Sequence, residues 1–539
     1  MAFIKAQNLV YEEDGSIKSG SASIVDTVYI NTGTYHSKQV RREKLGKVVY
    51  LREDKHVGIF LSPTRGLVQY STETDTFEAV EKDDPRIRGT ELFPAPEVHT
   101  IFGDTYLLLK FLEQNGFLEV LQAAFPQKKG YERLLCHILH GVIRDGTKVP
   151  CDNFIDKSFA SYIVPDIPIH SLRSDTVFFT MMGNDQTRIA FFQSFVRTMR
   201  KKDPAFGIGC YVDSTPLPND IVNNPFNALC SHGVSSCEVM TRLVLVLDER
   251  SGLPVWYDII PGNILDINTL MTVVEDVSCS LNIEIDSLVL DAGYVSKELI
   301  TAYNIGTEKT FIGRMPARKG YPHKSLYTEC KDLIGKGKYS FVRQDHAYFG
   351  KRKEIEIFGQ KEYAYVYVDK YSALKRYSEY LRDNQEEYDK LEDDEKDWYM
   401  VRFGYFVLLS NIDATPQELL SDYFGRTQIE TVFKTSKEYL DLLPLSKWSD
   451  TTVRGKILSD IINTIVMLQL RKAMHSSGYA ISDLFTKTQS LMCFRNKTGT
   501  ITVEPPNRMV KEFYKLLKIT VPSHLKLKDF ISAVYGPNM

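Results

Sequence analysis

Residues 421–443, SDYFGRTQIETVFKTSKEYLDLL, decide how the rest of the chain is interpreted. Apolar residues recur there at helical spacing, which predicts one amphipathic helix. Its polar residues lie at offsets of 0, 3, 7 and 14 and are Tyr423, Arg426, Glu430 and Lys437. At about 100° of turn per residue, all four fall within roughly 60° of one helix face. The stripe is either a salt-bridged surface, since Arg426 and Glu430 are four residues apart, or one wall of an active site.

Length and charge limit the classes of protein to which the chain can belong. Its 539 residues are enough for several domains, and 43% of them are hydrophobic, as in ordinary globular proteins. The net charge of −3 gives no global case for nucleic-acid binding, so such a case has to rest on local basic clusters. We expect a basic channel past Arg426, Lys437 and an insertion at 316–402, with acidity concentrated at 371–397.

The cysteines and the apolar segments indicate an intracellular protein. Eight cysteines are scattered without a CxxC pair, which predicts free thiols. The first residues lack an apolar signal core, and the most apolar run, 461–470, is too short to cross a bilayer. We therefore expect a cytoplasmic protein with no membrane partner.

The chain divides by pattern into four regions. Residues 1–95 are β-rich and include a basic run at 38–47, which is either a solvated hairpin or a contact to a DNA end. Residues 96–203 are helical and are a candidate DNA-binding region, and residues 446–539 are again helical. Between them, 204–445 reads as an α/β core interrupted by the insertion at 316–402.

Strands dominate the first half of this core. Those at 208–212, 240–247 and 254–260 are joined by short turns and predict an antiparallel meander. An α/β unit follows, with helices at 268–281 and 297–303 and strands at 287–290 and 310–314. The strand at 403–409 resumes the pattern after the insertion.

Two acidic residues follow apolar strands directly: Asp213 and Asp291. A carboxylate at the end of a buried strand costs free energy unless something compensates for it, although such an Asp also often caps a turn. With Glu430 on the helix after the last strand, three core elements supply three carboxylates. All-oxygen ligands suit Mg or Mn, and a pair of such ions is suited to phosphodiester chemistry. A strand and helix order of β-β-β-α-β-α-β with these acids predicts an RNase H-like core, a mixed five-stranded sheet with flanking helices.

A second metal site is less favoured. Cys136, His137 and His140 lie on one helical segment, but no second group of ligands accompanies them. We interpret these residues as core or surface side chains.

The motif in 421–443 resembles that of a known family. The spacing Tyr423-x2-Arg426-x3-Glu430-x6-Lys437 matches the Y-R-E-K motif of the insertion-sequence-four superfamily of bacterial DDE transposases in residue type and position. Three further segments resemble that family. Asp213-Ser214-Thr215 is similar to the region of its first Asp, and Asp291-x-Gly293-Tyr294 to the region of its second Asp. Pro261-Gly262-Asn263 is similar to the segment after its third strand. The resemblance covers about 205–445, with the insertion where the family carries its own.

The resemblance implies roles for particular residues. Asp213, Asp291 and Glu430 would be the catalytic ligands of two divalent metal ions. The phosphate-binding residues near the cleaved DNA end would be Tyr423, Arg426 and Lys437. Well-studied relatives pass through a DNA hairpin and flip a base onto an inserted tryptophan, and Trp398 is the candidate here. Packing of Trp398 against the next strand is the alternative, and Trp448 is a weaker candidate for the same role.

The implied function is cut-and-paste DNA transposition in a bacterial cell, with the protein at the nucleoid. The enzyme would hydrolyse transposon ends and join the freed 3′-hydroxyl to target DNA. Double-stranded DNA would be the partner, and pairing two ends would require a homodimer in the synaptic complex. The alternatives are an inactive or host-retained DNA-binding relative, another RNase H-fold nuclease, and a purely structural salt-bridge face.

Overall fold

The computed structural model describes residues 2–12, 15–31, 35–62, 64–81, 84–87, 99–144, 151–164, 175–219, 221, 224–229, 238–264, 269–305, 308–333, 335–439, 443, 445–496 and 499–536. The chain folds as two compact units, Met1–Val98 and His99–Met539.

The first unit is an antiparallel sheet in which each strand pairs with the next along the chain. Its strands are β1 (Ala2–Tyr11), β2 (Ile17–Asn31), β3 (Tyr35–Leu51), β4 (Val57–Ser62), β5 (Gly66–Ser71) and β6 (Thr76–Ala79). Alternate residues such as Ile24, Val48 and Phe60 form a buried cluster on one face. The basic run at 38–47 lies within β3, so it is strand rather than loop.

The second unit begins with β7 (Thr100–Ile101) and a set of helices: α1 (Gly103–Gln114), α2 (Phe117–Ala124), α3 (Lys128–Arg144), α4 (Cys151–Lys157), α5 (Thr176–Met182) and α6 (Asp185–Lys202). The core elements follow: β8 (Gly209–Pro218), β9 (Ala228–Leu229), β10 (Val239–Asp248), β11 (Pro254–Pro261), α7 (Leu270–Leu281), β12 (Ser287–Leu290), α8 (Lys297–Ala302) and β13 (Thr310–Arg314). Strands β10 to β13 and helices α7 and α8 lie where the sequence pattern predicts them, whereas β8 extends to Pro218, past the predicted end at 212, and β9 was not predicted.

The insertion and the C-terminal part complete the unit. The insertion contains α9 (His323–Glu329), β14 (Ser340–Arg343), β15 (His346–Ile357), β16 (Gln360–Asp369), α10 (Lys370–Tyr388) and α11 (Asp393–Arg402). After it come β17 (Tyr405–Ser410), α12 (Pro416–Gly425), α13 (Thr427–Lys434), a π-helix (Thr435–Tyr439), α14 (Asp450–Met474), α15 (Ile481–Thr488), β18 (Met492–Arg495), β19 (Thr500–Val503), α16 (Arg508–Leu516), β20 (His524–Lys526) and α17 (Leu527–Tyr535).

A mixed sheet organises the second unit. Its strands lie in the order β11-β10-β8-β12-β13-β17-β16-β15-β14. Strands β11, β10 and β8 pair antiparallel, whereas β12 pairs parallel with both β8 and β13. The antiparallel pairing predicted for the first three strands is confirmed, but the short turn predicted before β10 is wrong, because residues 219–238 separate β8 from β10. The fold class is mixed α/β.

The sheet is larger than the predicted five strands because the insertion extends it. Strand β16 pairs with β17 from Tyr363 to Val368, and β15 and β14 follow in turn. The phenol groups of Tyr365 and Tyr367 donate to main-chain carbonyls at Ile412 and Pro416 (2.6 and 2.7 Å), which lie just before and at the start of α12. The insertion therefore packs as part of the core rather than as an appended domain.

The prediction of one continuous helix over 421–443 is wrong, because the segment is divided into shorter helical elements. Helix α12 ends at Gly425, α13 begins at Thr427, and the chain widens into the π-helix at Thr435. At the break, the Arg426 amide bonds Tyr423 O three residues back rather than four. A Cβ on Gly425 would collide with the phenol oxygen of Tyr211, so glycine permits this close approach to β8.

The C-terminal helix α14 joins the early helices. It is buried along most of its length and packs against α3 and α5. Glycines make the crossing close: a Cβ on Gly183 or Gly455 would collide with the main chain of the other helix. The boundaries proposed within this unit, at about 203 and 445, stay a prediction.

Candidate active site

The first two predicted carboxylates lie side by side at the sheet edge. Val212 on β8 is in register with Leu290 on β12, so the next residues, Asp213 and Asp291, occupy neighbouring positions on parallel strands. Asp291 keeps an extended backbone, with φ −83° and ψ 170°. Adjacent strands lie about 4.8 Å apart, and residues at one level of a parallel pair point to the same face. The register of β8 and β12 therefore places the two carboxylates next to each other.

Arg426 connects these carboxylates from the helical side. Its Nη1 lies 2.6 Å from Asp213 Oδ2, and its Nη2 lies 3.9 Å from Asp291 Oδ1. The side chain is 14% exposed, against 20% for Asp213 and 44% for Asp291. Burial lowers the pKa of Arg426, but Tyr423, Asp213 and Asp291 outweigh it and leave that pKa raised. The guanidinium is therefore firmly charged and balances the acidic pair.

Tyr423 lies one turn before Arg426 on the same side of the helix. Its phenol donates to Asp291 Oδ1 at 3.4 Å, and the residue is 5% exposed. Burial raises the pKa of this phenol, so it stays protonated and remains a donor at neutral pH. Tyr423 and Arg426 thus both approach Asp291, at the end of β12.

Lys437 reaches β8 from the π-helix. Its Nζ donates to Thr215 Oγ1 at 2.6 Å and to Pro216 O at 3.0 Å. Burial lowers its pKa below the ordinary lysine value. Thr215 is the partner that sequence analysis overlooked, although strand alternation placed it on the same face as Asp213. Lys437 therefore ties the π-helix to β8, the strand that carries Asp213.

Glu430 is not brought into the same group. It lies on α13, one turn beyond Arg426, and is exposed. In the described ranges it forms no ion pair, and Arg426 bonds the two aspartates instead, which removes the simple i,i+4 salt-bridge explanation of the stripe. No group of three His, Cys, Asp or Glu side chains in the described part of the chain is arranged to hold a metal ion. The structure thus pairs Asp213 with Asp291 and leaves Glu430 apart.

Trp398 lies on α11 and packs inside the insertion. Its ring contacts Tyr327 and Tyr405 edge-on, with centroids 4.5 and 5.5 Å apart. This is the packing against the next strand that the sequence offered as the alternative. Trp448, by contrast, is 70% exposed just before α14.

Three consecutive basic residues of the insertion are paired with acids. Lys351 lies 3.1 Å from Asp332, Arg352 pairs with Asp413, and Lys353 pairs with Glu329. The expected basic channel therefore cannot draw on these three cations without breaking ion pairs.

The histidines of α3 are core residues, as interpreted from the sequence. His137 is 2% exposed, stacks on Phe178 and bonds Asp175 at 3.2 Å. Burial lowers its pKa to about 4, so it is neutral at physiological pH. Cys136 beside it is also buried. Elsewhere, no helix among the described residues is long and apolar enough to cross a membrane.

Comparison with known proteins agrees with this geometry. A family model described as a transposase DDE domain matches residues 212–458, which begin one residue before Asp213 and run into α14. The chain carries a transposase DDE domain. The function expected from the sequence, an enzyme of DNA transposition, is thereby confirmed, and the non-transposase nuclease is set aside.

Comparison over the whole chain adds little to this assignment. No curated protein matches the transposase in sequence. Among solved structures, it is similar to the cryo-EM structure of a piggyBac transposase synaptic complex with hairpin DNA, with a TM-score of 0.35 and 10% identity. That match covers 81% of this chain and 86% of the other. The roles of individual residues rest on the contacts described above.

Proposed function

We propose that this transposase works by cut and paste, with Asp213, Asp291 and Glu430 as its catalytic acids. It would hydrolyse the phosphodiester bond at each end of its element and then join the freed 3′-hydroxyl to target DNA. The observation that carries the proposal is the convergence of Asp213 and Asp291 on one guanidinium, at the edge where a sheet and a helix with the Y-R-E-K spacing meet.

Divalent cations are the proposed cofactors, two Mg or Mn ions per site. The donor set fits in chemistry, because all three side chains offer carboxylate oxygens, and the register of β8 and β12 already holds two of them together. Glu430 is the third proposed ligand. Such ions supply an activated water or 3′-hydroxyl and stabilise the leaving oxygen.

The remaining motif residues are proposed to grip the DNA backbone. Arg426 offers a planar fork suited to phosphate oxygens, and Tyr423 offers a neutral hydroxyl donor beside it. Lys437 uses two of its three N–H donors on Thr215 and Pro216, which leaves one for a phosphate. Trp398 is proposed, as its second role, to receive an extruded base if DNA binding opens its packing.

The strand order supports the finer family assignment. Three antiparallel strands followed by two parallel ones, in the order β11-β10-β8-β12-β13, are what an RNase H-like core requires. Together with the Y-R-E-K spacing, this order favours the insertion-sequence-four superfamily. A bacterial cytoplasmic enzyme that acts as a homodimer on paired ends follows from that assignment.

The arm formed by β2 and β3 is the proposed contact to the DNA end outside the core. Lys38 and Arg41 are exposed and form no ion pair with described residues, whereas Arg42 is held by Asp75 at 3.0 Å. Exposed Tyr29 and Val40 lie on the same arm. A two-stranded ribbon fits the major groove, and phosphates attract its free cations.

The second candidate is a relative that binds DNA without cutting it. The separation of Glu430 from the two aspartates is the observation that favours this alternative. It predicts binding of element ends without scission under any divalent ion.

Scission of labelled duplexes separates the two candidates. The substrates are the DNA segments that flank the coding sequence on either side, incubated with the full-length protein and Mg or Mn. The proposal expects scission that is lost with a chelator and in Asp213→Asn, Asp291→Asn and Glu430→Gln. Arg382→Gln is the matched control, because Arg382 is an exposed cation on α10 that bonds its neighbour Asp383. Binding without scission in the wild-type protein would favour the second candidate.

Metal binding is measured independently of activity. Titration with Mn, followed by electron paramagnetic resonance, should show bound ion in the wild-type protein and weaker binding in Asp213→Asn. Equal Mn binding in both proteins would contradict the assigned ligands, whatever the outcome of the scission assay.

A further inference from the structure

A third charged side chain lies in line with the two aspartates, and it is basic. Gly313 on β13 is in register with Leu290 on β12, so the next residue, Arg314, occupies the position beside Asp291. The levels of β8, β12 and β13 therefore present Asp213, Asp291 and Arg314 as one row across three adjacent strands. At about 4.8 Å per strand, Arg314 lies roughly 10 Å from Asp213 along this row.

Arg314 points to the face of the sheet that α12 covers. Its guanidinium carbon lies 5.6 Å from the ring centroid of Phe406. Phe406 is two residues from Leu408 on β17, so the two share a face, and Leu408 is the register partner of Arg314. Burial raises the pKa of Tyr423, and the charges of Arg426 and Arg314 oppose that rise. The charge of Arg314 therefore acts on a residue of α12. Helix α12 itself contacts both β12 and β13. The row and the helix thus enclose one site.

The N–H donors of Arg314 are not used by the described residues. The residue is exposed, and its guanidinium forms no hydrogen bond or ion pair with the described residues. Five N–H donors in a planar fork therefore face solvent beside two carboxylates and a phenol. Arg426, by contrast, is engaged with the aspartates, and Lys437 with β8. Unlike Arg426 and Lys437, Arg314 can therefore meet a ligand without giving up a contact to the described residues.

We propose that Arg314 binds a backbone phosphate of the DNA end that lies across the acidic pair. The inference rests on the proposed function and adds a residue outside the Y-R-E-K motif. Successive phosphates of one strand advance about 3.4 Å along the helix axis, so a contact about 10 Å from Asp213 lies within about three nucleotides of the cut. Its role is to position the strand, since phosphate contacts fix register without reading sequence.

Removal of the charge should weaken binding measurably. The loss of one charge-assisted hydrogen bond corresponds to about a 10- to 100-fold fall in affinity for Arg314→Ala. The slope of log affinity against log salt should fall by about 0.9. Arg314→Lys keeps the charge without the fork and should retain the slope but recover only part of the affinity. Lys361→Ala is the matched control. Lys361 is an exposed cation of the same sheet, near the start of β16, whereas Arg314 is the last residue of β13.

A scan with neutral phosphates tests the contact itself. Single methylphosphonates are placed in turn along the cleaved strand of the flanking-DNA duplex, and binding is measured with the full-length wild-type protein and Arg314→Ala. The inference expects one position near the cut that weakens wild-type binding but has no further effect in Arg314→Ala. Circular dichroism and thermal melting verify that both proteins are folded.

The outcomes separate the proposed function from the role of Arg314. If wild-type protein responds at that position and Arg314→Ala responds equally, the two effects are additive and the assignment of Arg314 is overturned. If wild-type protein neither binds nor cuts the flanking DNA, the proposed function fails and this inference fails with it.

Discussion

Replacement of Arg426 by glutamine should destabilise the transposase before any DNA is present. The guanidinium bonds Asp213 at 2.6 Å and lies 3.9 Å from Asp291. Its removal deletes a charge-assisted hydrogen bond of about 1.5–3 kcal/mol. It also leaves two carboxylates on adjacent strands, about 5 Å apart, which repel by about 3 kcal/mol at an effective dielectric constant of about 20.

Solvent reduces the second contribution. Asp291 is 44% exposed, so we discount the repulsion to roughly half. The sum is a loss of about 3–4.5 kcal/mol in the free energy of unfolding. Urea denaturation measures it, and fully buried Trp256 on β11 places a fluorescent reporter in the same sheet.

A second substitution tests the reasoning. Asp213→Asn in the Arg426→Gln background removes one of the repelling charges and should restore about 1–2 kcal/mol. Arg382→Gln, which removes an exposed cation on α10, should stay within about 0.5 kcal/mol of wild type. A stability for Arg426→Gln equal to that of wild type, or further loss on adding Asp213→Asn, would refute the view that Arg426 balances the acidic pair.

Substitutions at three more residues probe other parts of the molecule. Glu362 is buried on β16, and burial raises its pKa to about 7 from 4.5, so the fold favours the protonated acid and loses about 3 kcal/mol as pH rises from 4.5 through 7. Glu362→Gln should therefore melt at a higher temperature than wild type at about pH 8 and show no such advantage at about pH 4.5; an advantage that does not change with pH would contradict this. Glu430→Gln should abolish scission while the melting temperature is unchanged, because the side chain is exposed; a large loss of stability would instead mark Glu430 as structural. Trp398→Phe should preserve stability because an aromatic ring still packs on Tyr405, whereas Trp398→Ala should lose about 1–3 kcal/mol in urea denaturation; equal stability of the two variants would argue against a packing role.

Strand register made much of the site predictable from sequence. The apolar runs before Asp213 and Asp291 mark two buried strand segments that pair in register, although β8 continues past Asp213 to Pro218. The spacing from Tyr423 to Lys437 then indicates which helix lies against them. Each inference needed only local periodicity, which sequence carries directly.

What the sequence did not indicate depends on partners far apart in the chain. The bond from Arg426 to Asp213 spans 213 residues, and nothing in either segment announces it. Nor does the motif show that Lys437 lies in a π-turn and bonds Thr215, because a spacing rule assumes a uniform helix. Arg314 escaped notice for the same reason: it is significant only once β13 is known to lie beside β12.

The continuity of the insertion with the sheet has a consequence for protein engineering. Strand β17 is hydrogen-bonded to β16 along six register pairs, from Tyr363 to Val368. In a shortened variant that lacks 316–402, one side of β17 would be an unpaired edge strand, which favours aggregation through pairing with strands of other chains. The deletion would also strip the tyrosine hydroxyls that brace the carbonyls around the start of α12. A deletion intended to shorten this enzyme should therefore remove the α10–α11 helical hairpin and keep the strands β14, β15 and β16 that precede it.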